Sequence, residues 1–286
     1  MPTEIITTEE ISDQSLAEKG FYWREIDGVK VLICAALERE GFTNGFSTRL
    51  GGTSQFPEKD LNLAGFDDDS AENISENRRR FLRAFEGEWQ IASCWQVHGD
   101  EIRHVKGLED AADGNFKMDA LVSDATGVLL GVKTADCVPV LLGDVETKGF
   151  AAVHAGWRGT ADSIVPKTIL EMGKKFGTKP QNLIVAIGAA ASCKNYEIGA
   201  DVIETFSRNF PENYQDFFTP TRKGHALVDL HKANQEQLIQ NGVSAENIYT
   251  APFCTMERTD LFFSYRVEKR LYGKTGRLLS VIGRQK

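Results

Sequence analysis

Short apolar runs rich in β-branched residues recur along the chain and are separated by polar and turn-forming residues. Runs of this length and composition are typical of β-strands. They cover residues 29–37, 42–48, 91–97, 101–105, 120–124, 128–132, 138–144, 149–155 and 183–188. The pattern therefore predicts a protein built around many short strands.

Other stretches carry apolar residues at helical spacing. The clearest helix places four of them on one face: Val165, Ile169, Met172 and Phe176. A second helix, within 72–86, brings together Ile74, Phe81, Leu82 and Phe85, and we expect its arginines to point outward. Residues 202–206 and 231–240 predict two shorter helices.

The order of these elements indicates the fold class. Strand runs come in adjacent pairs as often as they alternate with helices, which favours an α+β fold with mixed sheets over a doubly wound parallel sheet. The chain has no low-complexity tract, no repeat of solenoid length and no linker rich in Pro, Gly or Ser. We therefore expect a single domain across residues 1–286.

Composition excludes several classes of protein. The 286 residues are 41% hydrophobic and carry a net charge of −8, so a large core is expected and a nucleic acid is not the expected partner. Residues 1–15 lack the features of a signal peptide. The longest apolar stretches, 31–37 and 126–132, fall far short of the roughly 20 residues of a membrane span.

The cysteines point in the same direction. There are five, at 34, 94, 137, 193 and 254, with no CxxC pair. An odd number of scattered cysteines is unlike a secreted disulfide framework and favours reduced thiols. We therefore expect a cytoplasmic protein. Two separate expectations are that it binds no membrane and that it is a monomer or a weak homodimer.

Three segments place a metal-competent side chain close to a turn at the end of a strand run: His98 in WQVHGD, Cys137 in KTADCVPV and His154 in AVHAGWRG. Two imidazoles and a thiolate suit zinc, and three protein ligands leave a fourth position open, as in catalytic sites. The spacings match no compact zinc motif, however. Two alternatives stay open: side chains that are simply packed, and a metal-free Cys-His pair with Cys137 as nucleophile.

Further candidates surround these three residues. Asp136 precedes Cys137 and could orient a water or a histidine, or act only as a turn cap. Four loops combine an arginine with glycine or polar neighbours and could bind an anion: Arg49, Arg158, Arg266 and Arg277. Trp157 is a candidate for stacking on a base, although packing is the commoner role of such a residue.

Several sequence segments, in their residues and in their order along the chain, resemble those of the YfiH family, also called the multicopper polyphenol oxidase or laccase-domain family. The resemblance runs from about residue 43 to the C-terminus, and residues 1–40 are the least characteristic part. Its segments are GFSTRLGGTS, LNLAGF, SENRRRF, CWQVHGDEI, DALVSD, KTADCVPVLLGD, VHAGWRG, NYEIGADV, VDLHKANQEQL, CTMERTDLFFSYR and TGR.

The resemblance implies a fold of mixed sheets packed together and flanked by helices, related to proteins classed as cysteine hydrolases. It implies that His98, Cys137 and His154 bind one zinc ion at the catalytic centre. From its position beside Cys137, we add Asp136 to the candidate catalytic residues. It also implies phosphorolysis of adenosine, inosine or methylthioadenosine and deamination of adenosine, so the partners are a purine nucleoside and phosphate. We include Arg49, Asn62, Gln96, Arg158 and Arg266 as candidates for binding substrate or phosphate.

The chain departs from the family pattern at one position, and two alternative functions compete with the one implied above. Ala189 stands where the family usually has proline, which bears on the shape of a pocket wall. A copper polyphenol oxidase is the first alternative, but five histidines are few for several copper sites. A metal-free hydrolase that uses Cys137 with His98 or His154 is the second.

Overall fold

The computed structural model describes residues 11–55, 60–64, 69–111 and 114–285. Residues 1–10, and Gly65 and Phe66 of the LNLAGF segment, lie outside the described residues. In the described part the strands are β1 Phe21–Ile26, β2 Val29–Cys34, β3 Thr43–Ser47, β4 Gln90–Ala92, β5 Ile102–His104, β6 Ala120–Ser123, β7 Val128–Thr134, β8 Val138–Asp144, β9 Phe150–Ala155, β10 Leu183–Ile187, β11 Glu197–Gly199, β12 Phe218–Pro220, β13 His225–Val228, β14 Ile248–Thr250 and β15 Leu278–Gly283.

The helices of the same part of the chain lie between these strands. They are α1 Asp13–Glu18, α2 Ala35–Arg39, α3 Ala71–Leu82, α4 Leu108–Ala111, α5 Trp157–Ala161, α6 Ile164–Phe176, α7 Ala200–Asn209, α8 Leu230–Gln240 and α9 Tyr265–Tyr272. Three 3₁₀ turns occupy Pro180–Asn182, Tyr214–Phe217 and Ala245–Asn247. None of the helices in the described ranges is long and apolar enough to cross a membrane.

The strands form two six-stranded sheets and one three-stranded sheet. The first sheet has the order β1-β2-β3-β15-β7-β4, the second β14-β10-β8-β9-β6-β5, and the small one β11-β13-β12. Most neighbours are antiparallel, while β4–β7, β5–β6 and β10–β14 are parallel. Both large sheets are therefore mixed, and the predicted fold class is confirmed.

Burial shows how the sheets are layered. One core contains Phe46 and Leu130 of the first sheet together with Leu141 and Phe150 of the second, so the two sheets pack face to face. The other face of the second sheet packs against α6 and α8, and the other face of the first packs against α3. Because β8 and β9 are covered on both faces, their sequences read as nearly continuous apolar runs.

Several predicted elements differ in detail. The run at 91–97 leaves the sheet after Ala92, and the run at 29–37 turns into α2 after Cys34. The outward orientation of the α3 arginines is wrong for Arg78 and Arg80, whose guanidinium groups donate to backbone carbonyls of nearby loops, whereas Arg79 is exposed. Hydrogen bonds to loop carbonyls hold these long side chains against the protein surface.

The layering can be tested with two identical substitutions. Leu141→Ala removes a fully buried side chain from the core between the sheets, so the free energy of unfolding should fall by about 2–5 kcal/mol. Leu170→Ala on α6 is the matched control because Leu170 is 59% exposed, and it should change stability by less than about 0.5 kcal/mol. Urea unfolding measures both, and equal losses would contradict the packing of the two sheets.

Candidate metal centre

The site is organised by Asp119, a residue that the sequence analysis did not single out. Asp119 directly precedes β6, which pairs antiparallel with β9, and its carbonyl accepts the backbone N–H of His154 at 2.8 Å. Its carboxylate is completely buried, and Oδ1 lies 2.8 Å from Nδ1 of His154. This contact leaves Nε2 as the ring nitrogen available to a metal.

The same carboxylate holds the loop that carries His98. The backbone N–H groups of Val97, His98 and Gly99 donate to it at 3.1, 2.9 and 2.8 Å. His98 has φ +60, so consecutive N–H groups converge on one anion as in a backbone nest. Because of these contacts, the two histidine rings meet edge to face with centroids 4.8 Å apart.

Cys137 joins the histidines because of strand pairing. It directly precedes β8, and the β8–β9 register sets Pro139 opposite His154. The preceding residue, Asp136, has φ +86 and makes the turn between β7 and β8. The three donor atoms of His98, Cys137 and His154 all lie within 4.8 Å of one another.

The space between these side chains suits a metal ion. A Cβ built at Gly156 would lie 3.1 Å from His98 Cδ2 and 3.2 Å from Cys137 Sγ, so a larger residue there would crowd both ligands. Zinc binds imidazole and thiolate at about 2.0–2.3 Å, so only small side-chain rotations are needed. His154 is buried, Cys137 is half-buried and His98 is exposed, which leaves one side of the centre open to the cavity.

Without a metal, the electrostatics favour a thiolate–imidazolium pair. Burial raises the pKa of the Cys137 thiol, but the charge of His154 and hydrogen bonds with both histidines outweigh it and lower that pKa to about 6. Burial likewise opposes the charge of His154, yet Cys137 and Asp119 raise its pKa to about 9. The pKa of Asp119 is lowered despite burial because His154 and backbone N–H groups donate to it.

The triad opens into a cavity of about 930 Å³. Among the described residues, the lining contains five cationic side chains, Arg78, Lys133, Arg158, Arg266 and Arg277, and one carboxylate, Asp136. That carboxylate already accepts from Thr255 Oγ1, Ser264 Oγ and the backbone N–H of Arg266. In a chain with net charge −8, this local excess of positive charge favours an anionic ligand.

The structure corrects the interpretation of Arg49. This residue does not line the cavity of the triad, and its guanidinium forms a two-pronged ion pair with Asp60 at 2.9 Å and a second ion pair with Glu268 at 2.8 Å. It also donates to the carbonyl of Thr259. Arg49 is thus a buried structural cation, since most of its donors are used within the protein.

The side-chain amides of Asn62 and Gln96 form hydrogen bonds with backbone groups near the cavity. Asn62 Oδ1 accepts the N–H of Arg277 at 2.9 Å, and Asn62 itself does not line the cavity. Gln96 lines the cavity, but its amide donates to the carbonyl of Lys133 at 2.6 Å and accepts the N–H of Lys133 at 2.8 Å. Both amides therefore position cationic residues, a role that the motifs did not indicate.

Arg158 and Arg266 do reach the cavity, as the sequence suggested. Arg158 is exposed and lies over the ring of Trp157, with its Cζ 4.3 Å from the centroid. Arg266 lies over Tyr196 at 5.0 Å and donates to the carbonyl of Glu197. Tyr196, whose pKa is raised to about 12 by burial and by the charge of Cys137, is a lining residue that the sequence analysis missed.

Two other histidines and Ala189 lie away from the triad. His104 packs against Phe176, and His231 Nε2 lies 3.2 Å from the carbonyl of Gly188. Ala189 is buried in the core between the sheets, and it is not among the described residues that line the cavity. The concern about a pocket wall at this position therefore does not apply to this cavity. All five cysteines are free.

Comparison with known proteins finds relatives along most of the chain. A family model described as multi-copper polyphenol oxidoreductase laccase matches residues 43–285. A Staphylococcus aureus protein named purine nucleoside phosphorylase is 34% identical over 262 residues, which are 89% of this chain and 96% of that protein. The crystal structure of YlmD from Geobacillus stearothermophilus matches with a TM-score of 0.82 at 31% identity, covering 92% of this chain and 98% of that one. The crystal structure of the Bacillus licheniformis hypothetical protein YfiH gives 0.84 at 27% identity, covering 92% and 99%.

Asp119→Asn tests the organisation of the centre. The amide cannot accept all the hydrogen bonds that the carboxylate accepts, so His154 and the His98 loop should lose their fixed orientation, and zinc affinity should fall by about 10–100-fold. Competition with a chelating dye measures the affinity. Asp124→Asn, at an exposed position, is the control and should bind zinc like the unaltered chain. Equal affinities of all three proteins would refute this role of Asp119.

The pKa of Cys137 predicts how the metal-free protein reacts with iodoacetamide. Because a thiolate forms as the pH rises through about 6, alkylation of Cys137 should be half-maximal near pH 6 and level off above it. Zinc should protect the residue. Cys193 is the internal control: it is exposed and its pKa is raised by burial and by Asp229, so it should react only at higher pH. Peptide mass mapping separates the two sites, and a Cys137 midpoint above pH 8 would contradict the pairing with His154.

Proposed function

The chain belongs to the multi-copper polyphenol oxidoreductase laccase family, and from this premise we propose that it is a zinc-dependent purine nucleoside phosphorylase. The observation that carries the proposal is the convergence of His98, Cys137 and His154 beside a cavity lined by cations. Relatives named purine nucleoside phosphorylase cover nearly the whole chain, and their reaction requires both a nucleoside and phosphate.

Zinc suits the donor set better than several copper ions. Two imidazoles and one thiolate with an open side are typical of catalytic zinc. Multicopper oxidation needs further histidine clusters, and in the described ranges the triad is the one group of three metal-competent side chains. His104, His225 and His231 lie on β5, β13 and α8, and all three are outside this group.

In this proposal zinc, when bound, supplies Lewis-acid activation of a substrate oxygen or of water. His154 is held by Asp119 so that one ring nitrogen faces the centre, and the Cys137 thiolate is a ligand and not a nucleophile. The buried Asp119 carboxylate also fixes the entrance loop at His98. The geometry of the centre is therefore set before substrate arrives, which reduces the cost of reorganisation during the reaction.

Arg158 and Arg266 are placed to bind phosphate. Both line the cavity next to the triad, and their guanidinium groups stack on Trp157 and Tyr196 with donors left over. In phosphorolysis a phosphate oxygen forms a bond to C1′ of the ribose while the bond from C1′ to the purine nitrogen breaks. The purine leaves with the electron pair and takes up a proton. Holding phosphate against C1′ lowers the barrier by orientation.

Deamination of adenosine is the second activity of the proposal. Its support is the open side of the centre, where an activated water would face C6 of the purine. The names of the relatives support phosphorolysis and do not extend to deamination. Use of adenosine, inosine or methylthioadenosine, a cytoplasmic location, and a monomeric or weakly dimeric state are parts of the same proposal.

Product analysis tests both reactions. The zinc-loaded protein is incubated with adenosine, inosine or methylthioadenosine, with and without phosphate, and the products are identified by mass. Phosphate-dependent free base and ribose phosphate are expected, together with inosine formed from adenosine. Free base without any requirement for phosphate would refute phosphorolysis, and absence of inosine would remove deamination from the proposal.

Two substitutions test the metal. Cys137→Ala and His154→Ala each remove a ligand, so zinc content should fall well below one ion per chain and both activities should drop by more than about 100-fold. Cys193→Ala is the matched control and should retain both zinc and activity because Cys193 is exposed and outside the cavity.

The same preparations separate the competing functions. Wild-type turnover by a ligand variant would remove the metal from the mechanism. Activity that persists in the metal-free protein and is abolished by alkylation of Cys137 would instead favour a cysteine hydrolase. Oxidation of a phenol by the copper-loaded protein, with no nucleoside turnover, would favour the oxidase.

A further inference from the structure

A second group of cations lies on the cavity wall. Lys133 on β7 and Arg277 before β15 line the main cavity together with Arg78 of α3. A smaller neighbouring cavity of about 410 Å³ is lined by Arg158 and Arg266 and not by these three. The cations therefore form two groups, of which only the Arg158 group is used by the reaction described above.

The members of the second group repel one another. Burial is the main cause that lowers the pKa of Lys133; Cys94 raises this pKa, and the positive charges of Arg78 and Arg277 lower it further. The three cationic side chains therefore interact electrostatically. The charge of a buried ammonium is normally balanced by a carboxylate. Among the described residues, neither Lys133 nor Arg277 takes part in an ion pair.

Donors remain on both side chains. Lys133 Nζ donates to the carbonyl of Cys94 at 3.1 Å, and Arg277 Nη1 donates to the carbonyl of Gly276 at 3.0 Å. An ammonium has three donors and a guanidinium has five, so most are free to face a ligand in the cavity. A phosphate group, with several strong acceptor oxygens, matches such a pair of cations.

The backbone of both cations is fixed by side-chain amides. Gln96 bonds to both the N–H and the carbonyl of Lys133, and Asn62 accepts the N–H of Arg277. The two amides belong to different loops that converge on this wall. The positive group is therefore held in place by the surrounding structure, as expected of a binding site.

We propose that Lys133 and Arg277 form a phosphate-group subsite that is separate from Arg158 and Arg266. The cavity of about 930 Å³ is near the upper end of the range for small-ligand sites, so it has room for a nucleoside and more than one phosphate group. The group comes from one of two sources: free phosphate, or the ester of a nucleoside 5′-monophosphate. The subsite rests on the proposed function for its nucleoside, whereas anion binding can be measured without turnover.

Calorimetric titration of the full zinc-loaded chain tests the subsite. The probes are inorganic phosphate, adenosine and adenosine 5′-monophosphate. The variants are Lys133→Gln and Arg277→Gln, with Lys133→Arg to restore the charge. Lys174→Gln is the matched control, because Lys174 is an exposed residue of α6. Loss of one charged hydrogen-bonding partner should lower the affinity for the phosphate-containing probe by about tenfold or more, whereas the affinity for adenosine should not change.

Each outcome is decisive. Weaker binding of inorganic phosphate assigns the subsite to the free anion. Loss of the preference for the monophosphate over adenosine, with inorganic phosphate unchanged, assigns it to a phosphorylated substrate. If both glutamine variants bind all three probes like the control, or if Lys133→Arg fails to restore binding, the subsite is refuted. A wild-type chain that binds phosphate at Lys133 but forms no ribose phosphate would overturn the proposed function alone.

Discussion

The buried carboxylate of Asp119 is the contact on which the rest of the site depends. It accepts three consecutive backbone N–H groups from the His98 loop and also contacts the ring of His154. A fully buried charge is tolerated only when its hydrogen bonds are satisfied, and here the partners that satisfy it are the segments that carry two of the metal-competent side chains. The hydrogen bonds that make burial of this carboxylate possible therefore also assemble the centre.

Among the described residues, cationic side chains outnumber carboxylates in the lining of the cavity beside this centre. The chain is acidic overall, yet cations gather in the cavity, and the single lining carboxylate of the described residues is bound by three donors. Like charges held together destabilise the folded state, so a cavity of this kind is consistent with a site that is completed by an anion. Arg49 shows the contrasting case, because two carboxylates bind its guanidinium and no ligand is needed.

The sequence predicted the strands that are buried on both faces and the α6 and α8 helices, because their apolar patterns are long and regular. It also predicted His98, Cys137 and His154, although through family motifs more than through spacing. It did not predict Asp119, Lys133 or Tyr196, since their roles come from strand register and from loops that meet only in the folded chain. The arginine motifs could not separate Arg49 from Arg158, because the difference lies in the carboxylates that approach from distant residues.

The path of the chain through His98 has a mechanical consequence. His98 lies on the connection that leaves the first sheet at β4 and enters the second at β5. In the second sheet, Cys137 directly precedes β8 and His154 lies on β9. An ion bound by all three would crosslink this connection to the middle of the second sheet. Because binding to the native state alone shifts the folding equilibrium, the thermal tolerance of the protein would then follow the supply of metal in its surroundings.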